Sequence, residues 1–205
     1  YQSVEGEIDA WSGFGHLHAI VRQLRVIRPG HPRMILSLKV GAPDVWGEPR
    51  RSEKTPSMVA AALAQVLAAG GQFNVSPFAG ESAPAFNGAR QDHHTNRFLT
   101  TNRDDAGPIT HTGARTPLYH AIRRVATFAS SFERLFTGLD PDDQHIAIPP
   151  EAIAPAVLDE ATGRAEPKSN PGAPNMTALH ASGARGQVAF VFGDPSAPAS
   201  HTHAT

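Results

Sequence analysis

The stretch PRMILSLKVGAPDVWGEP, residues 32–49, opens as a strand and closes as an aromatic loop. After Pro32, MILSLKV is a short run of apolar and β-favouring residues, the pattern of a strand buried along most of its length. Gly41, Pro43, Trp46 and Gly47 then break the run and form a loop. A serine and a lysine, Ser37 and Lys39, fall where the strand ends.

Helices are predicted on both sides of this strand. Before it, Leu17, Ile20, Val21, Leu24 and Ile27 recur at helical spacing, and Arg28-Pro29-Gly30 stops the pattern. After it, Thr55 is placed to cap a helix with Pro56 at its first position, where the missing N–H costs nothing. Gly70-Gly71 closes that helix in a left-handed conformation. Between them SMVAAALAQVLAA is apolar nearly all round, which predicts a helix packed closely on a sheet. QFNVSPF follows as the next strand. Strand, helix and strand with short joints make a right-handed βαβ unit, so the chain is expected to be α/β with parallel strands.

From Ala79 to Pro117 the chain is a long loop rich in Asn, Asp, His, Gly and Thr, far beyond the usual length of about 4–6 residues and therefore a candidate functional segment. Leu118, Ile122, Val125, Ala129, Phe132 and Phe136 then form a stripe at helical spacing, with Arg123, Arg124, Glu133 and Arg134 mainly off it. From Gly138 to Asn175 periodicity is lost and Pro, Asp and Ala accumulate, the composition of a linker or of a coat laid over a domain. GQVAFVF then reads as one strand of a β-rich second domain.

At 205 residues the chain suffices for one domain, or for one with a smaller second domain attached, and falls short of the about 250 residues of a complete (β/α)8 barrel. A formal net charge of -1 argues against nucleic acid or an anionic membrane as the main partner, although 11 histidines make that charge pH-sensitive. No cysteine is present, which excludes disulfides, a thiolate nucleophile and cysteine-ligated zinc. Tyr1 is followed by acidic and small residues, which is no signal peptide, and the abrupt start reads as that of a piece of something longer. MVAAALAQVLAA is too short to span a bilayer, so a soluble chain is expected.

The order and spacing of these residues resemble the family 35 glycoside hydrolases, the β-galactosidases. In that family a strand of the form P-x-M-x-x-E leads to a glycine four residues after the glutamate and then to a Trp-Gly pair. Pro32, Met34, Gly41, Trp46 and Gly47 keep that frame. The family's paired glycine, its S-F-N-x-Y-M-F strand and its G-G-T-N-F-G-F loop are matched by Gly70-Gly71, Phe73-Asn74, Phe78, Gly80 and Phe86. Its T-S-Y-D-Y-D-A-P-L corresponds to TNRDDAGPI, with Thr101, Asp104 and Pro108 retained. YHAIRRVATFASSFERLF looks like the last barrel helix, and GQVAFVF like the opening strand of the β domain that follows.

The resemblance implies the last strands and helices of a (β/α)8 (TIM) barrel over residues 1–137, a linker or coat over 138–175 and the beginning of a β-rich domain over 176–205. It also implies an active site at the carboxyl ends of the strands, where retaining hydrolysis of terminal β-galactosides needs two carboxylates about 5 Å apart. Ser37 stands where the family keeps its nucleophilic glutamate. A neutral hydroxyl neither stabilises an oxocarbenium-like centre nor attacks without a base, so no hydrolysis is expected. The family's acid/base glutamate lies in an N-E-Y type motif on an earlier strand, for which Glu5 and Glu7 are the nearest imitation. Arg103 and Asp105 occupy both tyrosine positions of the family's Y-D-Y motif.

No catalytic residue is therefore assigned. Glu81 is either a relocated carboxylate or a solvated loop acid, and Asp104 with Asp105 is a pair whose adjacent side chains point apart. Trp46, Asn74, Phe86 and Arg103 are the expected substrate contacts, while Phe78 reads as packing between rim and helix. Lys39 would bring positive charge to the mouth, meeting either a sugar acid or Asp44. The pairs His16 with His18, His93 with His94 and His201 with His203 lack a third ligand at matching spacing, so no metal and no cofactor are expected. The expected partner is a galactoside or another carbohydrate, with a second chain completing the barrel as the alternative. A half barrel also leaves open sheet edges, so the chain is expected to associate or to be marginally stable.

Overall fold

A computed structural model describes residues 7–41, 45–48, 54–82, 98–100, 102–103, 107–148, 156–158, 165–167 and 176–193. Its first half repeats one unit. Strand β1 (Ala10–Ser12) leads into helix α1 (Leu17–Ile27), strand β2 (Met34–Leu38) into helix α2 (Pro56–Ala68), and strand β3 (Gln72–Val75) follows. The three strands form one parallel sheet in the order β1-β2-β3, with Ala10 beside Met34 and Met34 beside Gln72. The chain is thus α/β with a parallel sheet.

Local chemistry sets the bounds of these elements. Thr55 Oγ1 accepts the Met58 N–H at 3.2 Å, and Pro56 occupies the first turn of α2. Gly70 closes α2 at φ +71, a region open to glycine without strain. At Gly71 an added Cβ would come within 2.8 Å of Val21 on α1, so the glycine is what lets the two helices meet the start of β3. Arg28 at the end of α1 pairs with Asp9 ahead of β1 at 3.1 Å, holding the first strand against its helix.

The helices cover one face of the sheet. Leu17 and Val21 of α1, Ile35 and Leu38 of β2, and Val59, Leu63 and Val66 of α2 are fully buried in one cluster. Each such side chain contributes about 1.5–3 kcal/mol by leaving water. The opposite face carries Leu36, Gln72 and Asn74, all exposed.

The long segment after β3 contains a two-stranded antiparallel hairpin, β4 (Glu81–Ser82) with β5 (Asn102–Arg103). Ile109 then bonds back to Phe78 and Gly80, so the chain returns to the carboxyl end of β3 before helix α3 (Pro117–Ser131). The stripe expected to run unbroken to Phe136 is interrupted at Phe132, whose φ and ψ of -113 and 24 are not helical, and a short helix α4 (Glu133–Phe136) follows. Of the stripe only Leu118 and Ile122, with Ala121 beside them, are buried where α3 meets α2, so packing does not hold the second half straight. Phe136 instead meets Phe190 at 6.2 Å between ring centres.

Beyond Gly138 the chain is not structureless. Strand β6 (Asp140–Ile148) is followed by the small hairpin β7 (Ala156–Leu158) with β8 (Ala165–Pro167), then by β9 (Met176–Gly183) and β10 (Gly186–Gly193). The second sheet is antiparallel, in the order β10-β9-β6, and rests against α2. Among the described residues no helix is long and apolar enough to cross a membrane.

Candidate functional site at the carboxyl ends of the parallel strands

In a parallel sheet the strand ends that feed the helices converge, and here that rim is built by Gly13, Ser37 and Ser76 with the loops after them. The Gly13 N–H bonds the Ser37 carbonyl at 2.9 Å, and the Ser37 hydroxyl donates to the Ser76 carbonyl at 3.4 Å. Ser37 therefore ties β2 to the end of β3. The pairing slips between Ile35 and Leu38, and Asn74 Nδ2 donates to the Leu36 carbonyl at 2.8 Å across that irregularity. The Asn74 amide nitrogen is committed to the backbone.

Trp46 has its backbone N–H bonded to the Phe98 carbonyl, and its indole is 65% exposed, presenting a ring to solvent. Phe78 lies edge-on to Tyr119 at 6.1 Å between ring centres, as expected of a residue packing rim against helix. Two cations sit over rings on this rim, Lys54 Nζ at 4.8 Å from the centre of Phe14 and the Arg115 guanidinium at 5.1 Å from that of Tyr119. Burial holds the Lys54 ammonium below its ordinary pKa. Lys39 is exposed.

Glu81 is exposed in β4, opposite Arg103 in β5. Glu7 is exposed ahead of β1. His16 and His18 do not act together, since His16 is exposed at the start of α1 while His18 is buried on its inner side. Among the described residues no three His, Asp or Glu side chains gather as a metal site. Glu5, Asp44, Phe86, His93, His94, Asp104, Asp105, His201 and His203 lie outside the described residues, as does the Arg103 side chain.

Two hollows lie at the other end of the sheet. One of about 790 Å³ runs between α1 and β6, lined by Arg22, Arg25, Asp140 and Asp142, and one of about 390 Å³ is lined by Arg33, Gln72, Glu133 and Phe136. Arg25 and Asp140 pair across the first at 2.5 Å, which ties α1 to the start of β6.

Three arrangements escaped sequence reasoning. The pairs of Lys54 with Phe14 and Arg115 with Tyr119 join residues from separate loops and helices, with no spacing to betray the first. His180 on β9 bonds Asp142 on β6 at 2.5 Å through Nδ1 and Gln187 on β10 at 2.9 Å through Nε2. The MTALHASGARGQVAFVF run could have signalled its hairpin, since two β-rich runs flank a glycine-bearing turn. No protein-family model matches the chain, and no curated protein matches it.

Proposed function

We propose that this chain is a segment of a β-galactosidase-like (β/α)8 barrel, followed by the start of a β-rich domain, that binds a galactoside-type saccharide without hydrolysing it. The observation that carries this is the state of Ser37. In the frame shared with the family 35 glycoside hydrolases this residue replaces the nucleophilic glutamate, and its hydroxyl is turned to a backbone carbonyl at 3.4 Å. A hydroxyl donating to a carbonyl is neither a charge to stabilise an oxocarbenium-like centre nor an activated nucleophile. Exposed Trp46 offers a flat apolar face of the kind that receives the C–H side of a sugar ring.

Calorimetric titration with galactose and lactose, beside an aryl β-galactoside assay, tests this. Saturable binding with no product is expected. Hydrolysis that disappears in Glu81→Gln would overturn it, because the chemistry would then have moved to the hairpin.

A second reading, an assembly role, is favoured by a separate observation: β1 and β3 are both edges of the parallel sheet, each with one strand neighbour among the described residues. A folded sample that binds no sugar yet forms an oligomer of fixed stoichiometry supports that reading over the first.

A further inference from the structure

We infer that the site at the carboxyl ends of β1, β2 and β3 takes an acidic saccharide, one carrying a carboxylate or a sulfate ester, in preference to a neutral galactoside. This rests on the carbohydrate reading above and names the substrate class of the same site. Phe14 lies in the turn between β1 and α1, and Lys54 comes just ahead of Thr55, the cap of α2, so both belong to the rim that Ser37 closes. The Lys54 ammonium lies over the Phe14 ring at 4.8 Å. On the flank beyond β3, Arg115 lies over Tyr119 at 5.1 Å, and Tyr119 touches Phe78.

A ring face covered by a cation cannot also stack flat on a neutral sugar. It does hold the cation in place, with donors left to point outward. Lys39 adds a third positive charge. The described carboxylates on this side, Glu48 and Glu81, stand on the loop after Trp46 and on the β4–β5 hairpin. Burial disfavours the charged Lys54 amine, and an anion arriving beside it would relieve that cost. An anionic substituent on a sugar is the group that fits these positions, and it would leave the sugar body to Trp46.

The test is titration of the whole chain with D-galactose, D-galacturonic acid and D-galactose 6-sulfate at low and at physiological salt. One or both acidic sugars are expected to bind about tenfold or more tightly than galactose, the scale of one charge-assisted hydrogen bond. The advantage is expected to shrink with added salt and in Lys54→Met, and to persist in Lys54→Arg. Which acid is preferred distinguishes a carboxylate from a sulfate partner. Equal affinity for galactose and both acids overturns the inference and leaves the carbohydrate reading standing. No affinity for any of the three, in a sample with a cooperative thermal transition, overturns both. An advantage unchanged in a folded Lys54→Met and in Arg115→Met also overturns the assignment to these cations.

Discussion

His180 is the residue whose surroundings make the clearest claim. It stands on the middle strand of the second sheet, and its two ring nitrogens face the Asp142 carboxylate and the Gln187 amide oxygen on the two neighbouring strands. Two acceptors suit a ring that carries two N–H groups, so the bond to Asp142 first and that to Gln187 second raise the His180 pKa above its usual 6.5. A raised folded-state pKa stabilises the fold fully below the unfolded value, and the gain is lost as pH rises through the folded value. The second sheet is therefore expected to loosen as pH rises from below the ordinary histidine value of 6.5 through the raised folded-state value. Thermal melts of the wild type and of His180→Gln across that range check this. The wild type should melt higher at the acid end, and the gap should close toward the alkaline end. A gap constant with pH would show that the ring acts by packing alone. The cross-strand trio was invisible in the sequence because Asp142 and His180 are far apart along the chain.

At the scale of elements, α2 is the keystone of the first half, packed between α1 and α3 with Val59, Leu63 and Val66 wholly buried. Its bounds could be read directly from Thr55, Pro56 and Gly70-Gly71, because capping and chain reversal are local events. The interruption at Phe132 could not, because the hydrophobic stripe continues through it and the chain turns where Phe128 and Phe136 both meet Phe190 of the second sheet. Two substitutions in α2 separate the local from the tertiary contribution. Thr55→Ala removes the bond to the Met58 N–H and should cost about 1 kcal/mol. Leu63→Ala leaves a cavity in the cluster and should cost about 2–5 kcal/mol. Urea unfolding monitored by circular dichroism should show the midpoint falling much further for the second, with little change of slope.

For the whole molecule, the open edges matter most. Among the described residues β10 is an eight-residue edge strand, with no charge and no proline, and Val191 on it is 54% exposed. Natural edge strands are blunted by charge, proline or bulges, and this one has none of the first two. Antiparallel pairing with the same strand of a second copy would satisfy its outer N–H and C=O groups. Sedimentation velocity is expected to show mass rising with concentration, and Val191→Lys should suppress the rise. Association unaffected by Val191→Lys would move the contact to β1 or β3, the edges of the parallel sheet.

Taken by itself, the order of residues determined α1, α2, the start of α3 and the strands β2, β3 and β10, since helical spacing, caps and turn residues act over a few positions. The same local order carried the expectation that Ser37 and Lys39 lie at a strand end, and Ser37 is found bonded to the Ser76 carbonyl where β2 and β3 meet. Only the tertiary structure decided that Ala10–Ser12 is a strand, that Asp140–Ile148 joins the second sheet although its stretch reads as linker or coat, and that Lys54 lies over Phe14. The physical reason is where the hydrogen bonds go. A helix closes its bonds within its own segment and so writes its pattern locally. A strand has no partner until another segment arrives, and a side-chain pair drawn from two loops exists only once the sheet has brought those loops together.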